Sequence, residues 1–367
     1  MKSIGFLSIA IIVLLISHTA NTQPKIAKPA VIAYYAGRPT TIDSFDVTQL
    51  THIIFSFGHL KGTRLNINNA RDTLTIQNLV AQKKRNPELK VMLSLGGWGG
   101  CKDCSDIFST KRGRKDFTQS VKELLAYFGA DGIDLDWEYP AIEGYPGHNY
   151  KPEDKANFTA LVKKLRKKLG HEKLISFAAG GFTTFLEESI EWKKVMRYAS
   201  FVNLMTYDLT NGFSITTGHH TPLFSAEGQK ESGDNAIKYL LTAGIPANKL
   251  VLGAAFYGRI FDSVQNVNNG LNQPGKFRKS MPSRFFEDSL SEKNGYVYYW
   301  DDSAKAPYYY NPSAQAFVTF EDKKSIALKT RYAIENKLYG IMFWQLTEDK
   351  FQDGLLQSIN DALKPVN

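Results

Sequence analysis

Asp134, Asp136 and Glu138 stand at alternate positions, with Ile133, Leu135 and Trp137 between them. Side chains of an extended strand point to opposite faces in turn, so the three acids share one face and the three apolar residues the other. Acids two strand residues apart lie roughly 6.6 Å from each other, where like charges repel and couple their titrations. A fold tolerates that cost most readily at an active site, where a buried carboxyl group can give and take a proton. A solvated acidic edge strand would leave Ile133, Leu135 and Trp137 without cover.

The elements that must position these acids can be read along the chain. Short β-rich runs alternate with helical stretches. The expected strands are 31–35, 52–57, 91–97, 132–138, 174–179, 201–207, 251–256 and 340–344. Between them lie amphipathic helices. One carries Phe117, Val121, Leu124, Leu125 and Phe128 on a single face. Another begins near Pro152 and stops at Gly170, with proline and glycine at the expected ends. Eight strands alternating with helices predict an α/β fold, a closed (β/α)8 TIM barrel. An open doubly wound sheet is the other arrangement considered. It is disfavoured because no Gly-x-Gly-x-x-Gly turn follows the first strand. The expected layout is a barrel of residues 24–259 and 317–367, interrupted by an inserted α+β module over 260–316. That segment has strand and turn character, and a structureless loop of its length is improbable. A final helix is expected from about Glu321 to Leu338.

In a barrel of this kind, functional groups gather at the C-terminal ends of the strands. Ser94, Gly96 and Gly97 end the third strand, Glu138 the fourth, Met205, Tyr207 and Asp208 the sixth, and Trp344 the eighth. An acid, a Tyr hydroxyl, a second carboxylate and a Trp platform at one mouth suit a sugar ring, which stacks on the indole and hydrogen bonds to the polar groups.

The 367 residues are 43% hydrophobic and 22% charged, as in a globular protein with a sizeable core, and 13% aromatic. The formal charge is +9. The basic run 163–168 falls on the outer face of a helix whose apolar residues are Phe158, Leu161, Val162, Leu165 and Leu169. It reads as solvated surface, so nucleic acid is not expected as a partner. Residues 1–20 combine Lys2, an apolar run from Ile4 to Ile16 and small polar residues up to Ala20. They read as a secretory signal peptide, too short for a membrane span, with cleavage after Ala20 or at a neighbouring site. The expectation is a secreted, extracellular or periplasmic protein with no stable membrane anchor, acting as a monomer. In an oxidising compartment Cys101 and Cys104 favour a small structural disulfide over a redox pair, and nearby His ligands for zinc are lacking. No metal or cofactor is expected. Asn157 opens a glycosylation sequon, relevant only in a eukaryotic host. The adjacent His219 and His220 read as loop residues rather than ligands.

Five motifs together resemble the glycoside hydrolase family 18 chitinases, bacterial-type with a chitinase insertion domain. They are Ser94-Leu95-Gly96-Gly97, the octapeptide Asp131–Glu138, Met205-Thr206-Tyr207-Asp208, Tyr257-Gly258-Arg259 and Gly340–Trp344. They run through the barrel from about Val31 to Trp344, and the Cys101–Cys104 loop resembles a feature of some bacterial members. The resemblance implies a retaining hydrolysis of β-1,4-N-acetylglucosamine linkages in chitin or chitooligosaccharides, with Glu138 as proton donor. Asp136 and Glu138 lie on one face of one strand, so Asp136 is badly placed to attack the anomeric carbon from behind. The substrate's own acetamido oxygen then becomes the nucleophile, as the family is known to use. Asp136 would hold the acetamide N–H, Asp134 would tune Asp136, and Tyr207 and Asp208 would orient the acetamido group. The resemblance also implies substrate contacts from Tyr34, Phe57, Gly97, Trp98, Tyr139, Met205, Arg259 and Trp344. Two other functions are compatible with the same fold: a catalytically silent chitin-binding lectin, which would typically lack the acid at 138, and an endo-β-N-acetylglucosaminidase acting on glycoprotein glycans.

Overall fold

The computed structural model describes residues 28–365, so the apolar leader of residues 1–20 lies outside the described residues. The strands are β1 (Ala30–Tyr35), β2 (His52–Lys61), β3 (Arg64–Asn66), β4 (Lys90–Gly96), β5 (Gly132–Asp136), β6 (Leu174–Gly180) and β7 (Val202–Met205). They continue with β8 (Leu250–Ala255), β9 (Tyr257–Asp262), β10 (Lys276–Pro282), β11 (Val297–Asp301), β12 (Ala306–Asn311), β13 (Ala316–Thr319) and β14 (Gly340–Trp344). Eight of these pair in parallel in the order β1-β14-β8-β7-β6-β5-β4-β2, and β1 pairs with β2 to close the ring. Closure excludes the open doubly wound sheet.

Alternation along each strand builds two cores. In β5, Ile133 and Leu135, with Trp137 just beyond, join the apolar layer under the helices, together with Phe108, Phe117, Phe158 and Leu161. Asp134 and Asp136 point the other way, into the barrel. In β1 the outward set is Val31, Ala33 and Tyr35, and the inward set Ile32 and Tyr34. The interior is closed below by Ile54, Met92, Phe201, Val251 and Met342. Burying such side chains contributes about 1.5–3 kcal/mol each.

The helices follow their sequence signals. Lys111–Phe128 starts where the Thr110 side chain accepts from the Gly113 N–H, and it ends at Gly129, which takes the left-handed conformation at φ 69°. Asp154–Leu169 buries Phe158, Leu161, Val162 and Leu165 and turns its basic run outward. Lys323–Glu335 is shorter than the 321–338 stretch read from sequence, because Asp322 caps it with a reciprocal Ser325 bond and Asn336 ends it. Cys101 and Cys104 are joined in a disulfide. Among the described residues, no helix is long and apolar enough to cross a membrane.

Three strands end two or more residues away from the sequence reading. The fourth barrel strand stops at Asp136, where Gly97 N–H donates to the Asp136 carbonyl at 2.9 Å, and Trp137 and Glu138 continue as rim loop. The sixth stops at Met205, opposite Gly180, so Tyr207 and Asp208 also lie beyond it. One neighbour gives out at each point, β4 at Gly96 opposite Asp136 and β6 at Gly180 opposite Met205, and the ladder on that side ends with it. The second strand instead runs on to Lys61 and turns back through Gly62, at φ 57°, into β3.

Between β8 and β14 the chain forms an antiparallel sheet in the order β10-β9-β13-β12-β11. Its strands start at Tyr257 and end at Thr319, three residues beyond 260 and 316 on each side. Phe261, Tyr308, Tyr310 and Phe317 pack on one face, and Ile260, Leu290, Val318 and Phe320 on the other.

Candidate active site

A cleft of about 1090 Å³ opens at the C-terminal mouth of the barrel. Among its lining residues are Asp136, Glu138, Tyr139, Met205, Tyr207, Asp208, Arg259 and Trp344, with Phe57 and Trp98. Ten of the sequence-derived candidates are thus brought to one surface. Three are not on it: Asp134, Tyr34 and Gly97.

Asp134 lies beneath the cleft, fully buried and fully partnered. It accepts hydrogen bonds from Tyr34 (3.1 Å), Ser94 (2.8 Å), Ser176 (2.6 Å) and Asn203 (3.3 Å). These donors come from β1, β4, β6 and β7, so the carboxyl group ties four strands together from inside the barrel. Burial nevertheless leaves its carboxyl group above the ordinary range, against the pull of those hydrogen bonds. Tyr34 was expected on the cleft bottom; it is 1% exposed and serves Asp134 instead, with its ring tilted under Trp344 at 5.9 Å.

Gly97 acts through what it lacks. At φ 79°, a Cβ there would sit 2.3 Å from the Phe57 ring. That close approach leaves Phe57 free to stack on Trp344, with centroids 5.5 Å apart and planes 12° from parallel. The pair makes a broad aromatic floor. Trp98, 48% exposed, forms a second aromatic group with Tyr139, Tyr145 and Phe213 at 5.5–6.4 Å.

Asp136 differs from Asp134 in having an unsatisfied oxygen. One carboxylate oxygen of Asp136, Oδ1, is buried without a hydrogen-bond partner in the protein. Burial raises the Asp136 carboxyl group well above its usual range, and the charges of Glu138 and Asp134 push the same way. Burial also lifts Glu138 to about 8; the Tyr139 hydroxyl opposes this and the Asp208 charge adds to it. At neutral pH the site therefore holds a carboxylic acid able to donate a proton.

Asp208 is the opposite case. It accepts from the Tyr257 hydroxyl at 2.6 Å and pairs with Arg259 through both Nε and Nη2, at 2.6 and 2.5 Å. Burial would raise its carboxyl group, but His220 and Arg259 outweigh it and hold the group well below the usual range. It stays ionised. Tyr207 is buried beside it, its hydroxyl 3.9 Å from Met342 Sδ.

Sequence reading missed several residues in and beneath this surface. His220 lies in a loop as expected but is fully buried, with Nδ1 3.7 Å from Asp208 and its ring 5.2 Å from Tyr257; burial lowers it to about 4, so it is neutral. Its loop is anchored by Thr221, which accepts from Lys329, itself paired with buried Glu321. His219 faces Asp301 at 3.0 Å. Nothing in their local sequence marks either as buried. Tyr257 and Glu348 also line the cleft.

A partnerless acid beside a protonated acid, over a stacked aromatic floor, is the equipment of a glycosidase. The family pattern described as "Glycosyl hydrolases family 18" matches residues 30–349. The chain belongs to that family. It is 30% identical to Chitinase A1 of Niallia circulans over 94% of this chain and 60% of that protein, so it spans under two thirds of that relative's length. It is 31% identical to mouse Chitotriosidase-1 over 84% of this chain and 68% of that protein. Among solved structures, a family 18 N-acetylglucosaminidase from Paenibacillus barengoltzii superimposes with a TM-score of 0.83 at 33% identity, covering 91% of this chain and 99% of that one. Chitinase ChiA74 from Bacillus thuringiensis gives 0.85 at 26% identity, covering 93% and 70%.

Proposed function

We propose that this family 18 glycoside hydrolase is a secreted chitinase that hydrolyses β-1,4-N-acetylglucosamine linkages with retention, using the substrate's acetamide as nucleophile. The observation that carries the reading is the partnerless Oδ1 of Asp136 beside Glu138. Asp134 has its hydrogen bonds from the protein; Asp136 Oδ1 is open to accept one from a ligand N–H. The acetamido N–H of a bound sugar fills that role. Its carbonyl oxygen is then free to attack the anomeric carbon while Glu138 protonates the leaving oxygen. The charged cyclic intermediate is stabilised by ionised Asp136, and Glu138 next removes a proton from the incoming water. Tyr207 and Asp208 orient the acetamido group, and Arg259 holds Asp208 in its ionised form. Partners are chitin and chitooligosaccharides; neither nucleic acid nor a membrane is invoked. A catalytically silent lectin has no use for an acid held protonated at neutral pH.

The test is the anomer first released from a chitin hexamer, read by proton NMR in the first minutes. The expected product is the β-anomer, because two inversions retain configuration. An initial α-anomer would mean direct attack by water and would rule the mechanism out. Fully deacetylated chitosan should resist cleavage, since it carries no acetamide nucleophile.

Trp344→Ala removes one half of the stacked floor. The expected result is a rise in KM for chitooligosaccharides on the order of tenfold, which corresponds to one lost aromatic stacking contact. Unchanged kinetics in a folded variant would place the indole outside the binding surface.

A further inference from the structure

Glu348 lines the cleft but has no task in the scheme above. It closes the short turn Leu346–Glu348 that follows β14. In the ring of eight strands, β14 stands opposite β5, so Glu348 faces the cleft from the side opposite Glu138. Its backbone is fixed at both ends: its N–H donates to Gln345 O at 3.0 Å, and its carbonyl accepts from Ser283 at 2.9 Å. The backbone that carries the side chain is thus fixed where β14 meets the second sheet.

The Arg284 charge acts on its carboxylate, but not through an ion pair. Oε2 is buried without a partner, and among the described residues Glu348 makes no ion pair. The other groups around it are committed. Arg284 donates to Thr347 O and lies over the Phe285 ring at 4.6 Å. Lys350 pairs with Glu287, and Asp208 with Arg259. Burial raises Glu348 to about 7; the Arg284 charge and Gln345 oppose the shift, and Asp208 adds to it. A cation delivered by a ligand would supply what the protein withholds, because a buried carboxylate gains most from a charge-assisted hydrogen bond.

Amino-sugar polymers carry such a cation wherever a unit has lost its acetyl group. Resting on the chitinase reading, we propose that Glu348 makes the subsite beside the Trp344 platform selective for a glucosamine unit, whose 2-ammonium group its carboxylate receives. The polarity follows from Glu138. That residue protonates the leaving oxygen, so the leaving sugar lies on its side of the reacting ring. Glu348, on the opposite side, faces the unit retained in the product. The reacting sugar itself must stay acetylated. The preferred cut therefore comes after a glucosamine–N-acetylglucosamine pair, in chain order.

Partially deacetylated chitosan is digested with the full-length protein near pH 7.5, the products are labelled at the reducing end, and they are sequenced by mass spectrometry. Glucosamine should be enriched over N-acetylglucosamine at the unit preceding the new reducing end. Glu348→Gln, which keeps shape and removes charge, should lower that ratio about tenfold, the loss expected for one charge-assisted hydrogen bond. A merely structural role would slow cleavage of all chains alike and leave the ratio unmoved, and that result overturns the proposal. So does a wild-type digest with no glucosamine preference at that position, which needs no variant to be seen. Cleavage of the fully acetylated hexamer is measured alongside. If the parent protein fails to cut it, the chitinase reading itself falls and the subsite with it; if it cuts but shows no preference, only the subsite falls.

Discussion

Glu138→Gln is expected to keep its fold and its affinity for chitooligosaccharides while losing about 10²–10⁴-fold or more in turnover, the contribution of a positioned general acid. Glutamine has the shape of the protonated acid and no proton to give. The site is built to keep that proton: burial lifts Glu138 to about 8. Two consequences separate this from a structural role. The parent's kcat/KM should fall on the alkaline side as Glu138 ionises around that value, and a glutamine variant has no such limb of its own. The second concerns stability. Because the folded value lies above the unfolded one, the Glu138 contribution is fully present below the ordinary Glu value of 4.5 and is lost as pH rises through about 8. The unfolding temperature of the variant should therefore decline less over that window than that of the parent. Turnover within a few-fold of the parent would end the assignment.

Asp136→Asn should cost about 3 kcal/mol in transition-state stabilisation, or about 10²–10³-fold in turnover, by comparison with loss of one preorganised electrostatic group. Asparagine retains an oxygen able to accept the acetamide N–H, so binding should suffer less than kcat. What disappears is the negative charge opposite the cyclic cation. At rest that charge is unfavourable: burial raises Asp136 well above its usual range, with Glu138 and Asp134 adding to the effect. The two acids therefore titrate as a pair, and the positive charge of the cyclic intermediate offsets the negative charge that is unfavourable on Asp136 at rest. Single-turnover rates on a chitin hexamer decide the matter. A variant as fast as the parent would make Asp136 a structural residue.

The strands, their number and the octapeptide were legible because they rest on local periodicity. Ile133, Leu135 and Trp137 alternate with acids, and period-two alternation has one interpretation in a sheet that is covered on its outer side. The helix end at Gly170 was equally local, since caps are satisfied within a few residues. Strand ends were less so: β5 stops where β4 gives out and β7 where β6 does, and no residue near Asp136 or Met205 records that.

By itself, then, the sequence determined the barrel, the family and which acids stand on β5. The tertiary structure decided what each acid is. Asp134 and Asp136 are two residues apart on the same face of one strand, yet one is surrounded by Tyr34, Ser94, Ser176 and Asn203 and the other keeps an unpaired oxygen. Those donors come from residues between forty and a hundred positions away. The same holds for Tyr34, which looked like a cleft residue and proved to be a support, and for His220 and Glu348, whose surroundings come from distant segments. Desolvation and hydrogen bonding depend on everything within a few ångströms in space, and closure of the barrel brings those groups together from distant stretches of the chain.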